Sequence, residues 1–85
     1  MIRLTFAETL PRTLRLEGRL TGRVLPEFER VCLEAAENQP LQLDLAGVRF
    51  LDPAGVGSIC RLMDLGVRVT GGSPFVNELL KECRS

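Results

Sequence analysis

The amino-acid sequence predicts an α/β fold: a two-layer sandwich in which a four-stranded mixed sheet carries three helices on one face, in the order β-β-α-β-α-β-α. Two observations predict it. Four short segments alternate apolar and polar residues, the period of a half-buried strand, whereas strands covered on both faces run continuously apolar. After the second of these segments the apolar period switches repeatedly to that of a helix, so strands and helices alternate and require crossover connections within one sheet. At 85 residues, 45% of them hydrophobic, the chain suffices for one domain over residues 1–85 and hardly more.

Each element follows from its own residues. Ile2, Leu4 and Phe6 share one side of a first strand, which Leu10-Pro11-Arg12 ends, and Leu14, Leu16 and Leu20 repeat the pattern in a second, antiparallel to the first. From about Arg23, Leu25, Phe28, Cys32, Ala35 and Ala36 fall on one side of a helix whose glutamates face solvent, with Pro26 tolerated in its first turn. Asn38-Gln39-Pro40 stops that helix, Leu41 to Leu45 form the third strand, and Ala46 to Leu51 read as a connection. Asp52 is suited to cap a second helix and Pro53 to open it. Its expected inward stripe is Val56, Ile59, Cys60 and Met63, with Gly66 as the stop and Leu62 and Leu65 off the stripe. Val67 to Thr70 form a short fourth strand, and Ser73-Pro74 opens a last helix whose Phe75, Val76, Leu79, Leu80 and Cys83 read as packing.

Composition excludes several functions. The 11 basic and 11 acidic residues balance, so no overall field draws the chain to nucleic acid, which is not an expected partner. No segment approaches the ~20 apolar residues of a membrane span, and the N-terminus lacks the apolar run of a signal peptide, so a cytoplasmic location without membrane insertion is expected. Histidine is absent, which removes Ser-His-Asp and Cys-His arrangements and most catalytic metal sites. No catalytic residue, cofactor or metal is expected, and the chain does not read as an enzyme. Cys32, Cys60 and Cys83 show neither a CxxC pair nor zinc spacing and read as small buried hydrophobes, with redox sensing as the lesser alternative.

Leu16-Glu17-Gly18-Arg19-Leu20, Leu43-Asp44-Leu45 and the run Val48-Arg49-Phe50-Leu51-Asp52-Pro53-Ala54-Gly55-Val56, in this order and spacing, resemble the STAS family, named for sulfate transporters and anti-sigma-factor antagonists. The resemblance covers nearly the whole chain and implies a protein-binding module whose partner is an anti-sigma factor or a serine kinase. Antagonist members read Asp-Ser-Ser-Gly or Asp-Thr-Ser-Gly at the start of the second helix, and the residue before the glycine accepts a phosphate. Here that position is Ala54, which has no hydroxyl, so the resemblance implies a variant without the phosphorylation switch, binding constitutively or regulated elsewhere. Ser58, the one hydroxyl in the segment from Asp52 to Ser58, reads as a close-packing residue or, as the weaker alternative, a displaced acceptor. Ala54-Gly55 also resembles the small STAS subunits bound to the ATPase of phospholipid-transport ABC complexes, which can read Asp-Thr-Ala-Gly.

The residues support a partner site without the family name. A helix N-terminus offers unpaired amides, and Gly55 and Gly57 leave the first turn free of bulky side chains. Asp52, Pro53, Ala54, Gly55 and Ser58 are expected to form a shallow, nearly uncharged landing place, extended by Leu62 and Leu65 as an apolar patch. The same residues also read simply as a helix cap and as glycines that let helix meet strand. Gly71-Gly72-Ser73 reads as a turn and N-cap or, as an alternative function, as a phosphate cradle for a nucleotide, though it lacks the lysine and the glycine pattern of a P-loop.

Overall fold

Leucines at every second position drive the sheet together. In the computed structural model, which describes residues 2–9, 11–37 and 39–84, β1 (Ile2–Ala7) pairs antiparallel with β2 (Arg12–Leu20), Leu4 opposite Leu16 and Phe6 opposite Leu14. Next to β2 runs β3 (Leu41–Leu51), parallel to it, and β4 (Arg68–Thr70) runs parallel to β3, giving the order β1-β2-β3-β4. Leu14, Leu16, Leu20, Leu43 and Leu45 are fully buried on one face, whereas Arg15, Glu17, Arg68 and Thr70 are exposed on the other. Burying a leucine contributes about 1.5–3 kcal/mol, so this one-sided pattern decides where the helices lie. The expected mixed sheet in a two-layer α/β arrangement is what forms. Leu10 and Asn38, assigned to turns from the sequence, lie outside the described residues.

The helices α1 (Leu25–Ala36), α2 (Pro53–Asp64) and α3 (Pro74–Leu80) lie side by side, α2 between its neighbours. In α1, Leu25, Phe28, Cys32 and Ala35 turn inward as the spacing predicts, with Phe28 fully buried. Short 3-10 turns precede α1 (Gly22–Val24) and follow α3 (Lys81–Arg84); the apolar period signals neither. Among the described residues no helix is long and apolar enough to cross a membrane.

Four expectations are corrected. Ala46 to Leu51 are not a connection but the second half of β3. The pairing with β2 shifts register between Arg15 and Glu17 and again between Gly18 and Arg19, so buried residues recur at Leu45, Val48 and Leu51 and the two-residue period vanishes while the ladder continues. Phe6 is 37% exposed, because β1 is an edge strand and the Arg12 guanidinium, 4.2 Å from the ring centre, is its cover. The inward face of α2 is Gly55, Ser58, Ile59 and Leu62, while Val56, Cys60 and Met63 are half-buried. Cys60 and Cys83 are not isolated hydrophobes: they form a disulfide, Cα to Cα 5.0 Å, that ties α2 to the turn after α3. Cys32 is the buried thiol expected, and burial, with the charge of Glu29 adding to it, pushes its pKa up to about 12.

Gly66 ends α2 as its spacing predicts, with φ at 99°. Its amide reaches the Met63 carbonyl and the Val67 amide the Leu62 carbonyl, each at 3.0 Å, the paired closure that a left-handed residue permits at a helix end.

Candidate functional site

Asp52 organises the tip where α2 begins. Its backbone is extended, and Oδ1 accepts the Gly55 amide at 2.7 Å, the N-cap bond expected from the sequence. The other oxygen, Oδ2, accepts the Gly22 amide at 2.9 Å, from the turn between β2 and α1. The Asp52 amide itself donates to the Leu20 carbonyl at 3.3 Å. Asp52 therefore fastens the start of α2 to the end of β2 and the turn that follows it, 30 positions away in the chain. Gly22 was absent from the sequence-predicted site, and no spacing signal links it to Asp52 across 30 residues.

The predicted site residues divide into two groups. Pro53 and Ala54 are exposed at the tip, with Asp52 half-buried beneath them. Gly55, Ser58 and Leu62 point into the protein. A Cβ on Gly55 would lie 2.5 Å from the Leu20 carbonyl oxygen, so the backbone that approaches this glycine closely is the chain's own. Leu62 is 3% exposed, which corrects its assignment to an outward patch, and Leu65, 68% exposed, lies beyond the far end of the 12-residue helix, about 18 Å from the tip.

Ser58 is fully buried and its hydroxyl donates to Glu29 Oε2 of α1 at 2.5 Å, while Arg61 Nη2 reaches the same oxygen at 2.6 Å. This corrects Ser58 as an alternative phosphate acceptor, since its oxygen is neither accessible nor free. It also moves Glu29 from a solvated face into a polar contact between helices. The Ser58 hydrogen bond, then that of Arg61, holds the Glu29 carboxyl below its ordinary 4.5. A group depressed on folding adds stability above its unfolded pKa, which is lost as pH falls through the lower folded value. Lowering pH from about 6 to about 3 is therefore expected to depress the thermal midpoint less in Glu29→Gln than in wild type. The exposed Glu27–Arg30 pair stays common to both proteins. Ser58→Ala is expected to cost about 1.5–2 kcal/mol in urea unfolding, the value of a hydrogen bond to a charged acceptor.

Beside the tip lies a groove of about 640 Å³ between α2 and α3, lined among others by Phe50, Pro53, Val56, Phe75 and Leu79. Phe75 is 54% exposed, which corrects its reading as packing. In α3 the buried pair is Val76 and Leu80, four residues apart, and Phe75 is one step out of phase with them. Arg19 stacks over Phe50 at 5.0 Å from the ring centre. The tip thus continues into a groove lined by apolar side chains and by Glu78, which the sequence reading does not assign.

The Gly71-Gly72-Ser73 turn is built as a cap. Ser73 Oγ accepts the Val76 amide at 3.2 Å, its carbonyl accepts the Asn77 amide at 2.8 Å, and Asn77 Nδ2 donates to the Gly72 carbonyl at 3.0 Å. The Val76 amide is already bonded to Ser73 Oγ, and α3 has only seven residues, so the nucleotide alternative finds no support in this geometry.

The family model described as "Mlab, STAS domain" matches residues 6–83. The chain belongs to the STAS domain family. No curated protein matches the chain. STAS domains act in general as interaction modules with regulatory proteins or transporters, and in this STAS domain the start of α2 presents Pro53 and Ala54 where antagonists carry hydroxyl residues.

Proposed function

We propose that this STAS domain is a constitutive protein-docking module that engages its partner through Asp52, Pro53 and Ala54 and the adjoining groove, and carries out no chemistry itself. The observation that carries this reading is the tip itself. It is an exposed, side-chain-poor helix start, with no hydroxyl on Pro53 or Ala54, that opens onto an apolar groove holding a half-exposed phenylalanine. A phosphate at Ala54 would add about two negative charges; the alanine makes that switch impossible.

Of the two partner classes, the ATPase of a membrane transporter is favoured, because Ala54-Gly55 matches the transporter-subunit pattern and the matching family model is of the Mlab type. The antagonist reading, with an anti-sigma factor or serine kinase as partner, is the second; the shared helix start favours it and the missing acceptor weighs against it. Affinity purification of the tagged chain from its native host, followed by mass spectrometry, is expected to recover an ATPase subunit. Recovery of a soluble kinase-like regulator would establish the second reading, and recovery of neither class would overturn both.

A further inference from the structure

α3 is a short helix with few holds on the rest of the fold. An isolated helix of seven residues is unstable in water, and here two buried side chains, Val76 and Leu80, anchor it, with Ser73 capping its start. Asn77, Glu78 and Lys81 are exposed. The disulfide from Cys60 on α2 to Cys83 in the turn after α3 is a further, covalent hold, closing a loop across 23 positions that contains β4 and the whole of α3. Both cysteines are half-buried, so they lie at the edge of the body rather than in its centre. The Cα spacing of 5.0 Å falls in the range that a disulfide spans without moving the backbone. Cys32, fully buried with its thiol pushed up to about 12, is excluded from exchange with the pair.

We propose that Cys60 and Cys83 form a redox-controlled fastening for α3: the closed bond holds the helix against α2, and its reduction lets α3 and the following turn open locally while the sheet stays folded. The co-reactant is a dithiol, of a protein or a small molecule. One thiolate attacks a sulfur of the pair, breaking the S–S bond and forming a mixed disulfide. The second thiolate then displaces the protein sulfur, so the protein gains two electrons and two protons and the dithiol becomes a disulfide. A reducing cytosol keeps such a pair open, and oxidising conditions close it. Because Phe75 and Leu79 of α3 line the groove beside the tip, the redox state sets the shape of that groove whether or not a partner docks there.

The experiment uses the whole chain without a partner. After treatment with oxidised glutathione, thiol titration in denaturant is expected to find one thiol per chain, and three after dithiothreitol. Reduction is expected to speed amide hydrogen exchange in α3 by at least about tenfold, with β3 amides unchanged. Cys83→Ser should behave as the reduced protein in both buffers, and Cys32→Ala should retain the full response. Three titratable thiols after oxidation, or equal α3 exchange in both states, would overturn the proposal. So would acceleration of β3 and α3 together, because the bond would then staple the whole fold.

Discussion

Gly55→Val is expected to lose about 3 kcal/mol of folding stability, seen as a fall of more than about 10 °C in the thermal midpoint. A Cβ at this position meets the Leu20 carbonyl oxygen at 2.5 Å and the Leu20 carbonyl carbon at 3.4 Å. Those atoms belong to the backbone at the end of β2, so they cannot rotate aside as a side-chain end would. Either α2 lifts from the sheet, uncovering Ile59 and Leu62, or the Asp52 links to Gly22 and Gly55 break. Domains of this size are stable by only about 4–13 kcal/mol, so the loss is a large fraction. Gly57 is the internal control: a Cβ there meets only the end of Arg61, at 3.8 Å. Gly57→Ala is expected to be neutral or to gain up to about 1 kcal/mol from helix propensity. Equal midpoints for Gly55→Val and wild type would refute the packing described for the α2 start.

Ala54→Glu is expected to weaken partner capture by about 100-fold or more while leaving the thermal midpoint within a few degrees of wild type. Ala54 is exposed, so a longer side chain finds room in the free protein. A carboxylate in the first turn is compatible with the partial positive charge of a helix N-terminus. In the complex the same side chain occupies the partner's place and brings an unpaired charge into a desolvated contact, which costs several kcal/mol. Ala54→Gln, of the same size without the charge, separates bulk from charge: if both variants fail, occupation of the surface is what matters. Leu65→Glu, beyond the opposite end of α2, should bind as wild type. Surface plasmon resonance against the purified partner measures all three, and undiminished binding by Ala54→Glu would remove the tip from the interface.

The parts of this fold that were legible in the sequence are those where one side of an element is uniformly apolar. β2 and the first half of β3 alternate leucine with polar residues, and α1 repeats at helical spacing, so type and facing could both be read. Beyond Leu45 two register shifts place the next buried residues three positions apart, and a period-two reading stops where the strand does not. In α2 two of the four inward positions, Gly55 and Ser58, carry no apolar signal, so hydrophobicity assigns the stripe to Val56, Cys60 and Met63, which are half-buried. The candidate site was half legible for the same reason. Asp52-Pro53 announces a helix start by local chemistry, and Ala54 is exposed beside it. The Gly22 amide, the Glu29 carboxylate and the Cys83 sulfur reach their partners across 23 to 30 residues, where no spacing rule operates.

Because both Asp52 oxygens are engaged within the chain, the proposed docking surface is assembled before any encounter. Association then forfeits little loop entropy at this point, and differences between competing partners should reside mainly in how long each stays rather than how fast each arrives. The Gly55 amide, already spoken for, leaves an incoming anion one grip fewer, so discrimination at this end of the molecule falls to contour.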